Sequence, residues 1–233
     1  MTERQLDQNL NIITSNMLLY RNNSQNGFDW FISFGSMLNL VRDDCKIKGD
    51  IDVSIVGDFP ALDQFQNYLL QYGFKTSEKI IFPNGRLAKL SIKNEDKMLY
   101  GDVVIDYFFW FKAGSYYYHT YNYYHEKAKN HILQTYMCKG TPAWMFKGKC
   151  FHANVPGTRY DLPFPRHFGS MLDYWYPKWI VPMDQFGIDG TSLSEAMVMT
   201  HDPMDLIKNP KNYEGQVKQS KEEYDKQLAR LYT

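Results

Sequence analysis

The feature that most constrains this chain is a pair of aspartates two residues apart inside an apolar run, Gly49-Asp-Ile-Asp-Val-Ser-Ile55. It follows closely on Phe31-Ile-Ser-Phe-Gly-Ser-Met-Leu-Asn-Leu-Val-Arg42. Side chains alternate along a strand, so Asp50 and Asp52 share one face while Ile51 and Val53 share the buried one. The whole stretch reads as strand, Gly-Ser turn, short helix, loop and second strand. Carboxylates on a rigid strand suit a hard divalent cation bound through oxygen. Gly35-Ser36 falls where the helix begins, so backbone N–H groups and the Ser36 hydroxyl could hold a phosphate. A third piece is Asp102-Val-Val-Ile-Asp106-Tyr-Phe-Phe, a further strand pattern. Asp106 sits among apolar residues, where a carboxylate must be paired, protonated or bound to metal. Asp102 shares its face by period-two counting and is the reserve candidate. A phosphate cradle beside metal carboxylates is the equipment of phosphoryl or nucleotidyl transfer.

Gly35-Ser36-Met-Leu-Asn-Leu-Val-Arg42, then Ile47-Lys-Gly-Asp50-Ile-Asp52-Val, then Val104-Ile-Asp106-Tyr-Phe resembles the LicD family of nucleotidyltransferase-fold proteins. That family includes bacterial phosphocholine transferases and is similar to the fukutin and fukutin-related sugar-phosphate transferases. Its pattern runs Gly-Thr/Ser-Leu-Leu-Gly-x-x-Arg, Ile-Pro-Trp-Asp-Asp-Asp-Ile-Asp-Ile, and Ile/Val-Asp-Ile-Phe. Here Asn39 stands for the second Gly, Lys48-Gly49 for Pro-Trp, and the acidic run is reduced to Asp50-Ile51-Asp52, which marks a divergent member. Val155-Pro156, Leu172, Tyr176-Pro177 and Trp179 echo a late family segment.

The resemblance implies a nucleotidyltransferase-fold α/β (α+β) domain over 1–182, a small mixed sheet flanked by helices. An aromatic-rich C-terminal part and a helical extension over 183–233 complete the chain. It implies Mg²⁺ or Mn²⁺ on Asp50, Asp52 and Asp106, with Asp106 either ligand or general base. Gly35, Ser36, Arg42, Arg86 and Lys89 are the candidate contacts to the donor's phosphates, Arg42 alternatively clamping the acidic loop. The implied reaction moves a phospho-alcohol, such as phosphocholine or ribitol phosphate, from a CDP-activated donor to a glycan hydroxyl in polysaccharide biosynthesis. Two rivals remain: a nucleotidyltransferase moving NMP from an NTP to a small molecule, protein or RNA end, and a non-catalytic glycan- or nucleotide-binding module.

Composition narrows the class further. Lys+Arg and Asp+Glu both number 26, giving zero formal net charge in 233 residues, against the basic surplus that gripping long nucleic acid requires. The polar start Thr2-Glu-Arg-Gln-Leu-Asp7 is unlike a signal peptide, and no apolar run approaches the ~20 residues of a spanning helix. Three cysteines, Cys45, Cys138 and Cys150, show no close metal spacing, and a cytoplasmic home is expected. The resemblance to the fukutin-related group implies a further alternative to free thiols, a structural zinc on Cys138, Cys150 and His152.

Elsewhere the pattern predicts scaffold. Leu6, Leu10, Ile13, Met17 and Leu18 give residues 3–20 a helical face, and Arg21 to Gly27 a loop. A helix opens at Phe59-Pro60 and closes at Gly73; strands Lys79–Phe82 and Arg86–Ile92 meet at a Pro-Asn-Gly turn. Tyr100–Trp110 reads as one strand and Lys147–Pro156 as another. The tyrosine run Tyr116–Tyr124 reads as a half-buried edge strand or as a stacking platform for sugars or bases. Arg166, His167 and Lys178 are further cations for a phosphate, in a segment whose aromatics read as packing. Leu193–Met199 looks helical, and Tyr213–Tyr232 reads as a helix with a thin apolar stripe.

Overall fold

The computed structural model describes residues 1–23, 29–43, 47, 49–57, 62–128, 131–152, 161–180 and 194–232. The chain is a mixed α/β protein of two compact units that interleave along the sequence. The first comprises Met1–Ile81, Gly85–Phe109 and Lys149–Pro165; the second comprises Phe82–Asn84, Trp110–Gly148 and Arg166–Thr233. The chain crosses between the units around Phe82–Asn84, within one strand at Phe109–Trp110, and again near residues 148 and 165.

The first unit begins with α1 (Glu3–Asn23), longer than the predicted helix. Leu6, Leu10, Ile13 and Met17 are buried as the periodicity requires, whereas Leu18 is 55% exposed and leaves the stripe. Then come β1 (Asp29–Ile32), α2 (Phe34–Arg42), β2 (Ile51–Val56) and α3 (Leu62–Gln71). Next are β3 (Phe74–Ile81), β4 (Leu87–Asn94), α4 (Lys97–Tyr100) and β5 (Val104–Ala113). The strand order is β1-β2-β5-β4-β3. The pairs β1–β2, β3–β4 and β4–β5 are antiparallel, so the sheet's parallel pairing falls to β2 and β5. Val53 opposes Ile32 in one ladder, and Asp106 opposes Ser91 in another. A small hairpin, β8 (Lys149–His152) with β9 (Leu162–Pro165), completes this unit.

Two strand expectations are corrected here. β3 extends back to Phe74 through the polar run Lys75-Thr76-Ser77-Glu78, because an edge strand needs few apolar residues to keep its ladder. β5 starts at Val104, not Tyr100. The Asp96 carboxylate accepts from Leu99 N–H and caps α4, and Gly101, at φ 79°, ends it. Asp102 is thereby left off the ladder.

The second unit takes over β5 at Trp110 and adds β6 (Tyr116–Ala128), β7 (His131–Pro142) and β10 (Ala196–Thr200), all antiparallel, in the order β5-β6-β7-β10. Around them lie a 3₁₀ turn at Ala143–Phe146, α5 (Phe168–Trp175), α6 (Pro203–Lys208), a second 3₁₀ turn at Pro210–Tyr213, and α7 (Glu214–Tyr232). β10 corrects the helical reading of Leu193–Met199: Ala196, Val198 and Thr200 are buried in alternation, the period of a strand. Rings fill the core, with Trp110 stacked on Trp175 at 6.2 Å and Phe111 on Tyr118 at 5.9 Å. Tyr118 is therefore core; the side chains of 121–124 lie outside the described residues, as do Val155, Pro156 and His152's imidazole. The α7 stripe packs on its own unit. Tyr224 donates to Tyr174 O at 3.0 Å, Met197 N–H donates to Ser220 Oγ, and the Gln216 amide pairs with both backbone groups of Met199. Among the described residues, no helix is long and apolar enough to cross a membrane.

Candidate functional site

The candidate site lies wholly in the first unit, where α2, β2, β4 and β5 bring acidic residues together. α2 begins two residues earlier than the pattern predicts, so Gly35 does not end a strand but sits in the helix's first turn. Phe34 enters at φ 44°, a left-handed conformation that an aromatic residue rarely adopts. Its ring is buried edge-on against Phe108 at 4.9 Å. Immediately after it, Ser36 N–H donates to Asp52 Oδ2 at 3.2 Å, and the Ser36 hydroxyl reaches Asp50 O at 3.0 Å and Asp52 Oδ2 at 3.4 Å. Asp52 N–H in turn donates to Ser36 Oγ at 2.8 Å. A β-carbon at Gly35 would stand 3.5 Å from Asp52 Oδ2. The predicted cradle thus has an occupant from the chain itself: the start of α2 holds the Asp52 carboxylate. A carboxylate at a helix N-terminus is favoured by the helix dipole.

The other two carboxylates arrive from neighbouring backbone. Asp50 precedes β2, is exposed, and accepts from Val104 N–H through Oδ1 at 3.4 Å. Asp106 faces Ser91 across the β4–β5 ladder, and Ser91 Oγ donates to its Oδ1. Each of the three is therefore held through one oxygen, and among the described residues its second oxygen accepts no hydrogen bond. They repel one another. Burial, then Asp106 and then Asp50, push the Asp52 carboxyl up to about 7 against the hydrogen bonds from Ser36. Burial chiefly, with Asp50 and Glu78 adding, raises Asp106, opposed by Ser91 and Lys89. Among the described residues no three acidic, histidine or cysteine side chains form a closed cluster. The donor set nevertheless fits a hard cation: carboxylate oxygens without soft ligands, carrying mutual repulsion that a divalent ion relieves.

The expected cations divide. Lys89 is buried beside the cluster, its ammonium 2.5 Å from Glu78 Oε2 and over the Phe108 ring. Arg86, at the turn into β4, is exposed, and Arg42 turns its guanidinium onto Asp43 at 2.7 and 3.0 Å, the clamping alternative. Asp102 is held by Lys93 and Lys97 at the surface, which lowers its pKa, and stands apart from the role reserved for it. Cys138 is buried in the second unit, its thiol pushed up to about 12 by burial; Cys150 Sγ donates to Pro165 O in the first unit. Ser91 and Glu78, which touch Asp106 and Lys89, carry no sequence signal of a site: Ser91 shows only its place on a strand, and Glu78 falls just outside the predicted Lys79–Phe82.

One pH effect follows. The unfolded Asp52 carboxyl loses its proton near pH 4, the native one near 7, so between these values the folded chain binds more protons. Stability of the metal-free protein falls as pH rises from about 4 to about 7 and then levels. Urea midpoints measured across that window check it, and Asp52→Asn should remove most of the slope.

No family model and no curated protein matches the chain.

Proposed function

We propose that this chain is a metal-dependent, LicD-like transferase that moves a phospho-alcohol group from a CDP-activated donor to a glycan hydroxyl. The observation that carries the proposal is the triad Asp50, Asp52 and Asp106, each tethered through one oxygen, with the other unclaimed among the described residues. A divalent Mg²⁺ or Mn²⁺ bound by these oxygens would offset charge on the donor's diphosphate. Ser36 N–H and hydroxyl hold the Asp52 carboxylate against α2 through Oδ2, so its other oxygen needs no reorganisation when the donor arrives. Asp106 Oδ2 serves in one of two ways: as a third ligand to the cation, solvent taking the proton of the acceptor hydroxyl, or as the base that accepts that proton while Asp50 and Asp52 hold the cation. The acceptor oxygen forms a bond to the distal phosphorus, the bond from that phosphorus to the bridging oxygen breaks, and CMP leaves. Such chemistry suits a cytoplasmic enzyme that modifies a glycan precursor.

³¹P NMR of the protein with Mg²⁺, a panel of CDP-alcohols and NTPs, and a glycan extract tests the reading. A new phosphodiester signal together with CMP is expected. Pyrophosphate instead would make the chain a nucleotidyltransferase using the same carboxylates. Ligand binding indifferent to EDTA, with neither product, would make it a binding module.

A further inference from the structure

β3 carries an irregularity whose position matters to the site. Its register against β4 runs Thr76 opposite Ile92, then Glu78 opposite Ser91, with Ser77 as the extra residue. In an unbroken ladder Ser77 would oppose Ser91, and Glu78 would face the other side of the sheet. The bulge reverses that parity, as bulges beside functional sites often do. Glu78, Ser91 and Asp106 consequently form a row across three strands on one face. Ser91 Oγ reaches Asp106 Oδ1 and lies 3.4 Å from Glu78 Oε2, while Glu78 Oε2 takes the Lys89 ammonium at 2.5 Å. Lys89 also acts electrostatically on Asp106. A buried ammonium within electrostatic reach of two carboxylates goes to the one that offers the closer geometry.

We propose that Glu78 is a positioning residue for Asp106: it holds the Lys89 ammonium and so prevents it from closing on the Asp106 oxygen that a cation requires. The proposal rests on the metal-dependent reading above. Glu78 thereby sets the cation affinity of the site while touching neither cation nor substrate.

The test is Mn²⁺ binding to the whole chain, followed by the EPR signal of free Mn²⁺, with no donor or acceptor present. Glu78→Gln should weaken binding about tenfold, a coupling usual between contacting residues. Lys89→Met retains the apolar stem against Phe108, and in that background Glu78→Gln should leave the affinity unchanged. Rescue of this kind separates holding Lys89 from simple loss of a negative charge. If Glu78→Gln weakens binding equally in both backgrounds, Glu78 acts only through its charge and the proposal falls. An unchanged affinity in the single variant overturns it equally. A wild-type chain that binds no Mn²⁺ would instead overturn the metal-dependent reading on which it stands. The Glu78 side chain is 43% exposed, and circular dichroism of each variant confirms that the fold is retained.

Discussion

Asp52→Asn should lower the proposed transfer by about 10³-fold or more while raising the stability of the metal-free protein. The two effects have one source. Asp52 is pressed against the start of α2 and repelled by Asp106 and Asp50, so its ionised form costs the fold free energy that only a bound cation returns. Asparagine keeps the shape and an oxygen for Ser36 N–H but removes the charge. Loss of a cation ligand removes several kcal/mol of charge stabilisation in the transition state, and each ~1.4 kcal/mol is about tenfold in rate. Single-turnover transfer and a urea titration at pH 8 measure the pair. Retained turnover would end the assignment of Asp52 as a ligand. A stability loss at pH 8 would show that the native carboxylate is satisfied without a cation.

The second large effect is structural. Phe65 in α3 is fully buried, its ring meeting Tyr107 edge-on at 5.0 Å and Phe109 at 5.2 Å. These two neighbours flank Phe108, whose own ring packs on Phe34, so successive residues of β5 serve opposite faces. Phe65→Ala should cost about 3–5 kcal/mol, the transfer term of a lost ring plus the cavity that remains. A shift of the urea midpoint at unchanged slope is expected. A loss below about 1 kcal/mol would mean that α3 collapses into the space. Because Asp106 lies on the Phe108 face, the surviving folded protein should still bind Mn²⁺.

What was legible in the sequence follows from which forces leave a pattern there. The α1 stripe, the Pro-Asn-Gly hairpin and the apolar setting of Asp106 are burial signals, and burial is written as periodicity. Asp52 and Asp106 are brought near one another as expected, because adjacent strands place them so. Asp50 differs from its partner: the strand begins at Ile51, leaving Asp50 exposed while Asp52 is half-buried. Ser91 and Glu78 were not legible, since a hydroxyl on a strand has no characteristic spacing and the bulge at Ser77 inverts the parity that counting by two assumes. The Ser36 end of the expected phosphate cradle is taken by Asp52 for a related reason. Sequence shows that α2's first N–H groups need a partner, not that a carboxylate sixteen residues later supplies it. Leu193-Ser-Glu-Ala-Met are tolerable helix formers, so the sequence predicts a helix where β10 forms, and only three alternating positions argue otherwise.

The pairing of Gln216 with Met199 gives the second unit a border that cannot propagate. The Gln216 amide turns one of its two N–H groups and its C=O to the same side, as a strand residue turns its own, so Met199 on the outer rim of β10 meets what a further strand would have presented. Ser220 serves the Met197 N–H two residues away. These groups project from a helix, which offers no fresh ladder to the next chain. Strand-by-strand growth therefore terminates at this rim, and self-association through it requires α7 to leave first.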